Sequence, residues 1–136
     1  MTAPAGYSGT PLPAKLGIKP GGRVLVDSPQ AGPALGALPD GVTLHRRRGS
    51  GTYDLVLLVA PSTARLRDRW PRLVPVLSTA GRLWVCWPKK SSGVPTDLSE
   101  ALVREFGLAE GLVDVKVCAV DATWSGLAFV RRLRDR

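Results

Sequence analysis

The run Tyr53-Asp54-Leu55-Val56-Leu57-Leu58-Val59-Ala60 most constrains the fold of this chain. It has no apolar/polar alternation, so a strand built from it has no face to offer to water. It therefore predicts a strand buried on both sides, the pattern of a parallel sheet covered on each face. At a strand's length it is far too short to span a bilayer. Two further runs read the same way, Arg23-Val24-Leu25-Val26-Asp27 and Arg82-Leu83-Trp84-Val85-Cys86-Trp87. A chain of 136 residues is one ordinary domain with room for a single core.

Between these runs the spacing turns helical. Ser62 is a suitable N-cap for a helix from about Thr63, with Leu66, Trp70, Leu73, Val74 and Leu77 on its apolar face. Pro71 and Pro75 are expected to kink or interrupt it, and Gly81 to close the segment. A brief helix is expected over 34–38, ended by Pro39-Asp40-Gly41, before a short strand Val42-Thr43-Leu44-His45 and a polar loop over 46–52. After a loop over 88–95, Thr96 or Asp97 is expected to cap a helix carrying Leu98, Leu102, Val103 and Phe106, with Gly107 as its C-terminal cap. Two strands over 112–120 and 126–133, joined by Asp121-Ala122-Thr123-Trp124-Ser125, read as an antiparallel hairpin. Residues 1–22 are rich in Gly and Pro and are anchored by Tyr7, Leu12, Leu16 and Ile18. They read as an arm packed on a single domain spanning 23–136.

Strands alternating with helices, closed by a hairpin, define an α/β fold with a mostly parallel, Rossmann-like sheet. Two stretches resemble a shortened methyltransferase fold. One is Leu16-Gly17-Ile18-Lys19-Pro20-Gly21-Gly22-Arg23-Val24-Leu25, similar to the lead-in before the cofactor loop; the other is Tyr53-Asp54-Leu55-Val56 followed by Gly81-Arg82-Leu83-Trp84-Val85. The whole chain is similar to a bacterial, mainly actinobacterial, family, domain-of-unknown-function family 3052. That resemblance is carried by Ala5 to Leu12, by Trp87-Pro88-Lys89-Lys90-Ser91-Ser92-Gly93-Val94, and by Gly111 to Asp121 with Trp124-Ser125-Gly126-Leu127. It implies a fold and no activity.

The chemistry departs from the methyltransferase likeness at two places. A cofactor loop needs glycines so that backbone can approach the ligand, yet Asp27-Ser28-Pro29-Gln30-Ala31 precede the first glycine, Gly32. The second strand should end on an acid for the ribose hydroxyls and ends instead on His45-Arg46-Arg47-Arg48. No cofactor is therefore expected, and a degenerate S-adenosylmethionine-dependent methyltransferase is the alternative reading. The better candidate site is the loop of Lys89, Lys90, Ser91, Ser92 and Gly93. It leaves a buried strand at the end where α/β sheets hold ligands, and it combines ammonium groups, hydroxyls and free amides suited to phosphate or carboxylate. Trp124 and Tyr7 are the aromatic residues expected beside it, with ordinary turn and packing roles as the alternative.

The net charge of +8 is spread over three arginine clusters, 46–48, 65–72 and 131–136, and reads first as a solvated surface. A basic surface of this kind attracts polyanions, so a nucleic-acid-associated protein is a further alternative. His45 is the lone histidine, and no ligand spacing for a metal occurs. Cys86 and Cys118 lie in apolar runs and read as buried thiols of a reducing compartment, with no secretory leader in view; the expected location is the cytoplasm, without a membrane. The resulting expectation is a non-enzymatic regulatory domain binding a small anionic ligand or a protein partner.

Overall fold

Six strands form one mixed sheet in the order β2-β1-β3-β4-β6-β5. The structure is a computed structural model that describes residues 10–29 and 32–136. The strands are β1 (Arg23–Asp27), β2 (Thr43–His45), β3 (Tyr53–Val59), β4 (Leu77–Pro88), β5 (Leu112–Ala119) and β6 (Trp124–Arg131). β2, β1, β3 and β4 are mutually parallel, whereas β6 runs antiparallel to both β4 and β5. The expected α/β architecture with a terminal hairpin is thus observed. β3 is central, and Leu55 to Ala60 are each no more than 3% exposed, as a strand without a polar face requires.

Alternating residues divide the core between the two faces of the sheet. Leu25, Val56, Leu58, Leu83, Val85, Leu127 and Phe129 meet helices α2 (Thr63–Leu73) and α3 (Glu100–Ala109) through Leu66, Trp70, Leu73 and Val103. Trp70 sits edge-on to both Phe106 and Phe129, with ring centroids 5.2 and 5.3 Å away. On the other face Val24, Val26, Leu55, Leu57, Val59 and Trp84 pack against the five-residue helix α1 (Leu12–Leu16), Ile18 and Leu35. Trp84 and Trp87 fall on opposite faces, as their spacing implies.

Several local expectations are corrected. Residues 34–38 form no helix; the segment is irregular, because Pro33, Gly36 and Pro39 punctuate it, and within it only Leu35 is buried. Pro71 stays inside α2, whose C-terminal turn passes into a 3₁₀ turn at Val74–Val76 containing Pro75. Gly81 does not close the preceding segment, since β4 already begins at Leu77 and absorbs residues 78–81 as an irregularity opposite Tyr53 and Leu55. Ser99 caps α3, accepting from Leu102 N at 3.3 Å, while Thr96 makes only a local turn with Leu98 N. Asp97 instead caps the other helix: its Oδ1 accepts from Thr63 N at 2.8 Å. That backbone hydrogen bond holds the Asp97 carboxyl below its ordinary range. Gly107 is not a C-cap but an interior residue of α3, buried against Phe129.

Cys86 and Cys118 both stand opposite Gly126, on the strands that flank β6. Two strand spacings separate them by about 9–10 Å, beyond the reach of a disulfide. Burial, with smaller contributions from Cys118 and Asp121, pushes the Cys86 thiol far above its ordinary range. The fold therefore favours the protonated thiol, and Cys86 contributes stability that is lost as the pH rises above the ordinary thiol range. With Ellman's reagent at pH 8, the native protein should release signal from half-buried Cys118 only, and Cys118→Ser should remove it. Cys86 should react only after unfolding in guanidinium. Rapid labelling of Cys86 in the native protein would refute its burial.

Candidate functional site

The C-terminal ends of β1, β3 and β4, joined by the start of β6, form one end of the sheet, since Pro88 is paired with Trp124. β1 delivers Asp27 to this end, where the carboxylate is already engaged. Arg65 donates to its Oδ1, and Arg69 donates to Oδ2 through Nε and Nη2 at 3.0 and 2.7 Å. Arg65 also donates from Nε to Val59 O at 3.0 Å, so α2 is bolted to the ends of two strands. The Asp27 side chain is 11% exposed, and its charge is more than balanced by the two guanidinium groups. The i,i+4 spacing of Arg65 and Arg69 was the available sequence signal for this clamp.

The first loop then presses on the protein itself. A Cβ at Gly32 would stand 3.0 Å from Val59 Cγ2 and 3.4 Å from Ser28 Oγ. The first glycine after β1 thus permits close approach to the end of β3. His45, at the end of β2, lies 2.6 Å from the Tyr53 hydroxyl, which also accepts from Gly49 N at 2.8 Å. Of the arginines that follow, Arg48 reaches α2: its Nη1 donates to Arg72 O at 3.1 Å.

The loop after β4 is fixed by its own turn chemistry. Lys89 N donates to Thr123 O at 2.8 Å, tying the loop to the β5–β6 turn. Lys90–Ser92 form a 3₁₀ turn closed by Gly93 in the left-handed region, at φ 77°. Ser92 Oγ donates to Lys89 O at 2.6 Å and accepts from Val94 N at 3.2 Å, so this hydroxyl is spent on the turn. Asp121 Oδ1 accepts from Thr123 N and Trp124 N, both at 2.8 Å, which orients Trp124 and leaves less of that carboxylate for a ligand.

These residues border two cavities. One, of about 440 Å³, is lined by Lys89, Lys90 and Ser91 together with Ser99, Glu100 and Ser125, over a floor of Trp87 and Leu98. The other, of about 380 Å³, is lined by Ser28, Pro29, Val59, Pro61, Val94, Thr123 and Trp124. Lys89, Lys90 and Ser91 are therefore brought together, whereas Trp124 belongs to the neighbouring cavity. Ser92 and Gly93 shape the turn between them, and Tyr7 lies outside the described residues. Trp87, Leu98, Ser99, Glu100 and Ser125 were missed as site residues. They come from three separate segments that only the sheet order brings together. Neither lysine forms an ion pair among the described residues, and Glu100 is held by Arg104 at 2.9 Å. Two ammonium groups and two serine hydroxyls over an apolar floor suit a phosphate or carboxylate attached to a less polar body. Among the described residues no cluster of His, Cys, Asp and Glu can hold a metal ion. No described helix is long and apolar enough to cross a membrane.

The fold resembles that of solved methyltransferases. The chain superimposes on a ribosomal protein L11 methylase from Lactobacillus delbrueckii subsp. bulgaricus with TM-score 0.56 and 14% identity, over 89% of this chain and 75% of that one. It matches magnesium protoporphyrin IX methyltransferase from Synechocystis PCC 6803, determined with bound S-adenosylmethionine, at TM-score 0.51 and 17% identity, over 69% of this chain and 48% of that one. A Thermotoga maritima O-methyltransferase matches with TM-score 0.51 and 13% identity, over 90% and 64% of the two chains. The chain thus spans about half the length of the Synechocystis enzyme, and the likeness is one of fold. No protein family and no curated sequence matches the chain.

Proposed function

We propose that this chain is a non-enzymatic regulatory domain of methyltransferase-type architecture that binds a small anionic ligand beside Lys89 and Lys90, in the cytoplasm. The observation that carries this reading is the pair of lysines without ion-pair partners among the described residues, set against a 440 Å³ cavity floored by Trp87 and Leu98. The resemblance to the actinobacterial family of unknown function runs through this same Trp87 to Val94 segment. Lys89 and Lys90 supply charge, Ser91 and Ser125 supply hydroxyl donors, and Trp87 packs against the ligand body.

A second reading has its own observation. The cavity beside Trp124 lies over the ends of β1 and β3, where an α/β sheet holds its ligands, and it offers an aromatic face to a planar ring. That supports a degenerate methyltransferase retaining S-adenosylmethionine affinity. The clamp on Asp27 and the placement of Gly32 against Val59 count against it.

Titration calorimetry with inorganic phosphate, nucleoside phosphates, S-adenosylmethionine and S-adenosylhomocysteine separates the two. The first reading expects a phosphorylated compound to bind and Lys89→Ala/Lys90→Ala to weaken it about 10- to 100-fold, the scale of one or two charged hydrogen bonds. Heat from S-adenosylmethionine that is lost in Trp124→Ala but kept in the lysine variant would establish the second reading instead. Absence of heat from every phosphorylated compound would end the first.

A further inference from the structure

All three arginine clusters contribute to one surface around the C-terminal ends of the helices. Arg48 Nη1 donates to Arg72 O at 3.1 Å. Arg131 Nη2 donates to Val74 O and Leu77 O, both at 2.8 Å, and Arg136 Nε donates to Arg131 O at 2.9 Å. Arg132 Nη2 donates to Leu108 O, at the end of α3, at 3.1 Å. The physical reason is local: carbonyls at the C-terminal end of a helix carry the negative end of the peptide dipoles and have lone pairs left for a guanidinium, and Leu77 O lies just beyond, at the start of β4. Segments far apart in sequence thereby meet around the carbonyls of residues 72–77.

These bonds engage only part of each guanidinium, which has five donors in all. Arg46, Arg47 and Arg48 are exposed, and Arg72 is exposed with only a 3.8 Å approach to Asp68. Arg134 reaches Asp135 only at 4.0 Å, and its side chain is 74% exposed. These arginines, with Arg131, Arg132 and Arg136, outnumber the two acids paired to them, Asp68 and Asp135, so the surface is strongly basic.

We infer that this surface is a docking site for the phosphate backbone of duplex nucleic acid. A protein partner is disfavoured because stable protein interfaces centre on buried aromatic or aliphatic anchors. Here the exposed large hydrophobic side chains are two leucines, Leu133 and, beside Arg132, Leu108, and no described aromatic side chain is exposed among the arginines. Trp70, Phe129 and Tyr53 are buried, so among the described residues no aromatic platform is offered at this surface for stacking unpaired bases, which favours a duplex over a single strand. Guanidinium groups pair with phosphate oxygens in a two-pronged geometry, and such contacts hold the backbone without reading bases. This site is independent of the Lys89–Lys90 cavity, which lies at the opposite end of the strands.

The test is fluorescence anisotropy of the full chain with a labelled random-sequence 20-base-pair DNA duplex across 50–200 mM KCl. Binding should weaken steeply with salt. Arg46→Ala/Arg47→Ala and Arg134→Ala/Arg136→Ala should each weaken it about tenfold at 100 mM and flatten the log–log salt slope by about 1–2. Lys116→Gln, on the opposite face of the sheet beside α1, should change affinity less than twofold. Melting temperatures of all variants should match the wild type, since the substituted side chains are exposed. No binding at 50 mM KCl, equal loss per charge at Lys116, or competition by polyglutamate as effective as by unlabelled duplex would each overturn the proposal. The last result would point to an acidic protein instead.

Discussion

Replacing Trp84 with alanine should destabilise the domain by about 3–5 kcal/mol, the range for removing a large aromatic side chain from a packed core. Trp84 is fully buried in the middle of β4, among the residues that hold α1 and Leu35 against the sheet. Its Nε1 also donates to Leu16 O at 2.8 Å, a buried polar tie between the sheet and the end of α1 that adds to the Lys15–Ala119 and Lys116–Lys15 bonds. Alanine therefore leaves a cavity and an unsatisfied carbonyl together. The loss approaches the whole stability of an ordinary domain, about 5–15 kcal/mol. Calorimetric or urea unfolding checks it, with Trp84→Phe as the partner variant. Phenylalanine keeps most of the volume and removes only the donor, so it should cost about 1–3 kcal/mol. Equal losses in both variants would show that the hydrogen bond, and not packing, dominates.

Gly107→Val should destabilise by about 3 kcal/mol, at the upper end of overpacking costs. A Cβ there would lie 2.1 Å from Phe129 Cε1 and 2.4 Å from Cζ, and the ring is wedged edge-on against Trp70. It cannot yield without disturbing α2 as well as α3. Gly107→Ala should cost less, because alanine recovers up to about 1 kcal/mol of helix propensity. Phe129→Leu should partly rescue Gly107→Val, giving a favourable coupling of about 1 kcal/mol or more in a double-mutant cycle. Full additivity of the two substitutions would show that the ring is not what the valine meets.

The central strand was legible because eight successive residues admit one reading, and the helix α2 because Leu66, Trp70 and Leu73 repeat at helical spacing. Gly107 was misread for a definite reason. A glycine near the end of a helical pattern has two uses, a left-handed cap or a close approach, and only the position of Phe129 on a distant strand decides between them. Thr96 and Asp97 were read as caps of α3 in place of Ser99, since all are suitable cap residues and the choice depends on where α3 begins and on Asp97 being drawn to the start of α2. Lys89, Lys90 and Ser91 were recognisable as a ligand-suited loop. Their separation from Trp124 was not, because it follows from the Lys89–Thr123 bond and from Trp124 packing on the face of α1. The convergence of the arginine clusters was equally hidden, being set by helix ends that sequence spacing does not place.

The clamp of Arg65 and Arg69 on Asp27 bears on how this architecture tolerates change. Grafting a glycine-rich loop after β1 would recreate the backbone of a nucleotide site without recreating its electrostatics. The incoming ligand would meet a carboxylate already spoken for. Releasing that carboxylate would strand two partly buried guanidinium groups and loosen α2 from the strand ends it secures. In this chain Asp27, at the strand end where such a loop would begin, is a structural rivet. A retrofit would have to replace Arg65 and Arg69 along with the glycines.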